Sequence, residues 1–423
     1  MREVLKHPGF RRLWIAAVVL GLGDALMRMG LVEFFRANGY DVATETAKVA
    51  FAVSLPGLLL GPVAIAYLDR WQRRSVLMLS DALRAVTVVV IAGWLLPVVT
   101  GRMESRGLMA VYTMIFLNGA VATFYLPARN AMLPNLLTAG QFIQANTLLT
   151  ATVAVANVGG SGIGGFVAEQ FGVEWAVMAN ALAYVVSVAL VWSIRMQPHA
   201  TTSGEHAHPE GGWGELKTGL KYLWEHRTAL PLVILTAVFA FVGAVFMVAF
   251  VGFALNDPPY GLGLRTGGFG YLFVAAGVGA ALGMFAVGRA KRWTRAVWLP
   301  YVQLAAVGAL VFLLSRMTDP WLAAVVLVPL GAVAAPLMIP IDSKLQEQVD
   351  EKRRGAVFAT RGMLSSATMV VGFWLQFGTA FFRETWSAKI LWWLGIGTVA
   401  AVALTVLTIG FRQSRSAASS VQQ

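Results

Sequence analysis

Asp24 and Arg28 stand in an apolar run, residues 12 to 35, and their spacing of four places them one helical turn apart on the same face. Counted from Arg12 at about 1.5 Å per residue, Asp24 lies roughly 18 Å into a hydrocarbon layer about 30 Å thick. An acid at that depth is costly and must face a cavity or a partner. A carboxylate whose neighbouring cation and hydration can change is suited to taking up and releasing a proton, so Asp24 is the proton-coupling candidate. The same pair also reads as a static brace within one helix, and Arg28 alone as a docking charge for an anionic ligand group. Glu33, nine residues past Asp24, turns to the opposite face and toward the outer surface, where it reads as a headgroup-level charge.

Uncharged polar residues extend the candidate set. Asn146, Thr150 and Asn157 form one stripe of a later helix, and Asn118 and Tyr125 share a face of the helix before it. With Asp24 and Arg28 they are the ligand-binding candidates, although the amides and hydroxyls equally serve as ties between helices. The cluster Gly159, Gly160, Gly162, Gly164 and Gly165 clears side chains from a helix surface for close packing.

A second set, Asp69, Arg70, Arg73 and Arg74, sits in a short bend between two apolar runs, and a copy without the acid recurs at Arg289, Lys291, Arg292 and Arg295. Asp69 can pair with Arg73 and meet the positive N-terminal end of a helix around Gly355 to Arg361. Asp81, Arg84 and Arg361 are expected to join it in a charge network at the inner surface, a gate latch distinct from the ligand site. Enzyme chemistry finds little support. There is no cysteine, the five histidines lie in or beside polar segments without HExxH spacing, and no GxxxxGK[ST] is present. Neither a metal site nor a cofactor is implied.

These residues must be positioned by helices in a bilayer. The chain has 423 residues, 57% hydrophobic and 13% charged, with a mean hydropathy of +0.68, too little polar surface for a water-soluble fold of that size. Runs long enough to span occur at 12–35, 49–68, 85–101, 107–128, 141–167, 175–194, 228–256, 266–288, 296–315, 320–341, 362–382 and 390–411. Residues Asn130 to Gln141 read as a loop. Arg and Lys cluster in alternate connections, as at Arg11-Arg12, Arg73-Arg74 and Arg353-Arg354, while the opposite connections hold isolated charges such as Arg36, Lys48 and Arg316. Both termini are therefore expected in the cytoplasm. The net charge of +12 is a topology signal with anionic lipid as its partner and implies no nucleic acid.

The organisation is expected to be an N-terminal six-helix half (1–195), a cytoplasmic linker (196–226), a C-terminal six-helix half (227–412) and a cytoplasmic tail (413–423). Within the linker, Trp213, Leu216, Leu220 and Leu223 recur opposite Glu215, Lys217 and Lys221, as in an amphipathic helix along the inner leaflet. The halves echo each other where Pro127-Ala128-Arg129-Asn130 parallels Pro340-Ile341-Asp342-Ser343.

Twelve spans, a 6+6 duplication and the basic bend resemble the major facilitator superfamily, whose signature there runs roughly G-x-x-x-D-R-x-G-R-R. The match is at Asp69, Arg70, Arg73 and Arg74, with Ile65 and Gln72 in place of the glycines. Phe10-Arg11-Arg12-Leu13-Trp14, Ser80-Asp81-Ala82-Leu83-Arg84 and Ala145-Asn146 are similar to the branch of macrolide-efflux proteins and the enterobactin exporter. Two features depart from the wider family. Ile115 stands where many proton-coupled members carry arginine, and Gly160-Ser161-Gly162-Ile163-Gly164-Gly165 has serine where the antiporter signature has proline.

The resemblance implies an all-α integral membrane fold, a latch role for Asp69, and alternating access around a site near the midplane. It further implies a multi-pass inner-membrane protein, expected to be a monomer, that exports an amphipathic drug-like or siderophore-like molecule in exchange for protons. The alternatives are transport of a lysophospholipid or other lipid, and a non-transporting membrane sensor or assembly subunit.

Overall fold

The computed structural model describes residues 3–68, 71–95, 105–138, 141–194, 211–225, 229–258, 261–289, 296, 298–379 and 387–420. Among them all regular structure is helical. The first group of helices is α1 (Pro8–Ala37), α2 (Val42–Leu68), α3 (Arg73–Leu95), α4 (Ser105–Met132), α5 (Phe142–Phe171) and α6 (Val173–Trp192). The short α7 (Gly211–Glu225) precedes α8 (Leu230–Leu255), α9 (Thr266–Arg289), α10 (Leu299–Leu314), α11 (Pro320–Ala334), α12 (Met338–Gln348), α13 (Glu351–Gly378) and α14 (Ser387–Ser420). Eleven helical stretches of the described residues are long and apolar enough to cross a membrane, α11 and α12 counting as one across a 3-10 turn, and the apolar α10 is shorter at 16 residues.

Local chemistry sets several boundaries. Pro8 begins α1 where its missing N–H costs nothing, and the Asp319 carboxylate caps α11 by accepting from the N–H groups of Trp321 (2.8 Å) and Leu322 (3.1 Å). Gly172, the one residue between α5 and α6, has φ of +102°, which a side chain would strain. Pro336 and Pro340 remove backbone donors at the break between α11 and α12.

Two spans begin well before the uncharged runs that announce them. The third starts at Arg73 and not at 85, and the eleventh at Glu351 and not at 362, because their charged first turns are helical too. Residues Asn130–Met132, expected in a loop, complete α4, and the last helix continues to Ser420.

The chain forms two compact units, Met1–Gly214 with Leu264–Val274, and Glu215–Gly263 with Ala275–Gln423. In the first, α1 packs on α5 and α6, and α3 on α4 and α6; in the second, α8 packs on α13 and α14, and α10 on α11 and α14. The same pairings thus recur six spans apart, as internal duplication requires. Large apolar side chains are exposed, among them Leu182 and Trp321, as befits helices that a bilayer covers.

The glycines of α5 explain how closely its neighbours lie. A Cβ on Gly160 would come 2.8 Å from the Ala25 Cβ of α1, and one on Gly164 2.9 Å from the Leu26 Cα. Farther along α5, the first turn of α9 is seated on the first unit. Glu169 accepts the Gly267 N–H at 2.8 Å and faces Arg265 at 3.5 Å, while Glu33 accepts from the Thr266 hydroxyl. Glu33 is therefore no headgroup-level charge. It is buried, with Arg36 on both its oxygens at 2.8 and 2.9 Å, because a neighbouring helix end and an arginine one turn away cover it.

The amphipathic helix α7 also departs from expectation. Gly219 lies against the Ala356 carbonyl and Thr360 of α13, and Tyr222 and Leu223 join a core of the second unit with Leu232, Leu345 and Val357. Its apolar stripe is split: Leu223 is buried in protein while Leu220 and Trp224 stay exposed.

Candidate functional site

Polar residues of α1, α3, α4 and α6 converge inside the first unit. On α6, Asn180, Tyr184 and Ser187 follow one another at spacings of four and three, and on α3 Asp81, Arg84 and Thr87 at spacings of three, so each set forms one stripe. Gly23 brings α1 down onto α6: a Cβ there would sit 2.6 Å from the Ala183 Cβ. That approach places Asp24 between the two stripes.

Asp24 Oδ1 accepts from Tyr184 OH (2.6 Å) and Asn180 Nδ2 (3.1 Å), and Oδ2 from Arg84 Nη2 (3.1 Å). Arg84 is held in turn from several sides. Its guanidinium lies 4.4 Å over the Tyr184 ring, its Nε donates to Asn118 Oδ1 (3.4 Å), and its Nη1 is 3.8 Å from Asp81 Oδ1. Asn118 Nδ2 donates to the Thr87 hydroxyl at 2.8 Å, and Ser187 OH donates to Asp81 Oδ2 at 2.6 Å. Exposure is graded across the cluster: the Asp24 side chain is 33% exposed, that of Arg84 8% and that of Asp81 0%. Asp24 thus meets open space while its counterion is sealed behind it.

The expected Asp24–Arg28 pair is replaced. Arg84 neutralises Asp24, and Arg28 donates to Asn157 Oδ1 on α5 at 2.6 Å. Asp81 and Arg84 likewise belong to this cluster and not to a surface latch, since α3 begins at Arg73 and carries Arg84 eleven residues, about 16 Å, along its axis. Of the other ligand-binding candidates, Asn118, Tyr125 and Asn157 lie in or beside the cluster, Arg84 being 5.9 Å from the Tyr125 ring, while Asn146 and Thr150 are exposed on α5. Asn180, Tyr184, Ser187 and Thr87 were missed from sequence; the 4-3 spacing on α6 was the available signal.

The proposed gate residues lie elsewhere. Asp69 and Arg70 fall outside the described residues, as do Lys291, Arg292 and Arg295 of the echo. Arg73 donates to the Ala131 carbonyl at the end of α4 (2.9 Å) and Arg74 to the Trp192 carbonyl ending α6, so both cap helix C-termini. Arg361 pairs with Asp342 in the second unit, joining α13 to α12.

The second unit holds an apolar cavity of about 490 Å³ between α8, α13 and α14, lined by residues including Phe241, Val245, Leu364, Thr368 and Trp393. The Thr368 hydroxyl is spent on the Ala237 carbonyl, so that wall is apolar in effect. Among the described residues no group of three or more acidic, histidine or cysteine side chains forms a metal set.

Gly23 gives the geometry a direct test. Gly23→Leu should lower the thermal unfolding midpoint of the purified protein, at a cost of about 1–3 kcal/mol from overpacking. Adding Ala183→Gly should restore part of the loss.

Comparison with known proteins places this arrangement. The chain is 23% identical to the uncharacterized MFS-type transporter YkuC of Bacillus subtilis over 365 residues, covering 84% of this chain and 81% of that one. It is 22% identical to the enterobactin exporter EntS of Escherichia coli O127:H6 over 360 residues, covering 83% and 80%. The crystal structure of a bacterial homologue of the iron transporter ferroportin superposes with a TM-score of 0.72 at 13% identity, covering 95% of this chain and 98% of that one. Residues 13–373 match the family model of the Major Facilitator Superfamily, and the chain is a multi-pass membrane transporter of that family.

Proposed function

We propose that this transporter exports an amphipathic small molecule in exchange for protons, with Asp24 as the group that carries the coupling proton. The observation that carries the reading is the setting of Asp24, an acid midway along α1 that meets open space on one side and a buried arginine on the other. A proton reaching that carboxylate cancels its attraction for Arg84, and so converts proton binding into a change of contacts among α1, α3 and α6.

Arg28, on the turn after Asp24 and hydrogen-bonded to Asn157, is placed to receive an anionic group of the cargo. The likeness to an enterobactin exporter supports outward transport of a siderophore-like cargo. The clustering of arginines in alternate connections supports residence in the inner membrane with both termini in the cytoplasm.

The test is ligand-induced thermal stabilisation of the purified protein by enterobactin, erythromycin and lysophosphatidylcholine, followed by transport of any stabilising compound into proteoliposomes under an imposed pH gradient. Stabilisation by enterobactin or erythromycin, with uptake that a protonophore abolishes, is the expected result. Stabilisation by lysophosphatidylcholine alone would replace the cargo with a lipid, and uptake indifferent to the protonophore would remove the coupling.

A further inference from the structure

Asp81 is the most deeply buried acid of the cluster and the least satisfied. Its Oδ2 accepts one hydrogen bond, from Ser187, whereas Oδ1 has no hydrogen-bond partner among the described residues. The charged and titratable groups that face it are Arg84 on its own helix, Asp24 on α1, Tyr125 on α4 and Tyr184 on α6. Arg84 is the one cation in that set, and it is committed elsewhere. It lies 3.1 Å from Asp24 and hydrogen-bonds to it, against 3.8 Å from Asp81 without a hydrogen bond. Arg28 supplements Asp24 from the other side and is turned to Asn157. A second anion beside a single shared arginine, sealed from water and with one oxygen lacking a hydrogen bond, carries a large desolvation cost that a bound proton removes.

We infer that Asp24 and Asp81 form a dyad that shares Arg84 and holds one proton, and that in this state the proton sits on Asp81. This deepens the coupling role proposed for Asp24 and rests on it. In the exchanged state the proton has left the Asp81 carboxyl for the Asp24 carboxylate, and Arg84 has moved the short distance to Asp81. One O–H bond breaks and one forms, and the charge of the three groups together stays at zero. Asp81 then acts as a store, shielded from water, that returns its proton only when Arg84 leaves Asp24.

The test is infrared spectroscopy of the purified protein at mildly acidic pH, in H2O and D2O, reading the C=O stretch of protonated carboxyl groups. The wild type should show such a band with slow deuterium exchange. Asp81→Asn should abolish it. Ser187→Ala, which leaves the acid in place and guards against a misfolded Asp81 variant, should keep the band but shift its frequency. Tyr184→Phe, which removes the hydroxyl from Asp24 and leaves the Ser187 hydroxyl on Asp81, should shift it less than Ser187→Ala does. Asp24→Asn should abolish the band as well, because Arg84 is then free to pair with an ionised Asp81. A band that survives Asp81→Asn, or that answers to Tyr184→Phe and not to Ser187→Ala, would place the proton elsewhere and overturn the proposal. A band that survives Asp24→Asn would overturn the sharing of Arg84. The measurement uses no cargo and no gradient, so its outcome is independent of the transport assay that tests Asp24 as the coupling group.

Discussion

Arg84→Met is expected to be the most destabilising single substitution in the first unit, lowering stability by about 3–5 kcal/mol, the range for stripping one partner from a buried ion pair. The methionine keeps much of the apolar volume but removes the one cation among the described residues that hydrogen-bonds Asp24, the donor to Asn118 and the charge stacked on Tyr184. The exposed third of the Asp24 side chain lets water recover part of the loss, which places the effect toward the lower end of that range. Because much of the cost is a carboxylate left without its partner, the double variant Asp24→Asn with Arg84→Met should be more stable than Arg84→Met alone. Thermal unfolding in detergent, followed by tryptophan fluorescence, reads both. A single variant that melts with the wild type would show that the ion pair does not hold the helices together.

Asp24→Asn should have the opposite profile, with the fold retained and coupling lost. Asparagine keeps the shape of the carboxyl group, and its Oδ1 still accepts from Tyr184 and Asn180, the two neutral donors now at 2.6 and 3.1 Å. What disappears is the charge that holds Arg84 and the site that a proton would occupy. Accumulation of cargo against a pH gradient should fall to the level of empty liposomes, while exchange of cargo across the membrane at equal pH persists. That separation distinguishes a coupling group from a brace, since a brace would take both activities with it.

The all-helical membrane fold is legible because hydropathy over some twenty residues depends little on detail, and Asp24 stands out because an acid in such a run has few explanations. Its partner was hidden by the same criterion. An uncharged run marks a span but omits its charged turns, so the third run begins at 85 and leaves Asp81 and Arg84 reading as surface charges, although a buried ion pair lets such charges belong inside. Spacing alone points to Arg28, since residues four apart on one helix are neighbours. Arg84 comes from α3, and nothing local specifies that contact; Gly23 seats α1 on α6, and α6 in turn packs on α3. Asn180, Tyr184 and Ser187 give a weak signal because single polar residues in an apolar helix are common, and only their shared stripe marks them. The split face of α7 was likewise invisible, since a helix that half covers protein and half faces outward has the same apolar periodicity as one lying on lipid.

The central claim, that Asp24 couples proton movement to transport, is tested most directly by following protons themselves. Proteoliposomes enclosing a pH-sensitive dye, with no initial pH gradient, receive an inward gradient of a cargo identified by thermal stabilisation. Wild-type protein should move protons out as cargo moves in, and Asp24→Asn should carry cargo down its gradient with no dye response. An undiminished dye response in Asp24→Asn would contradict the account.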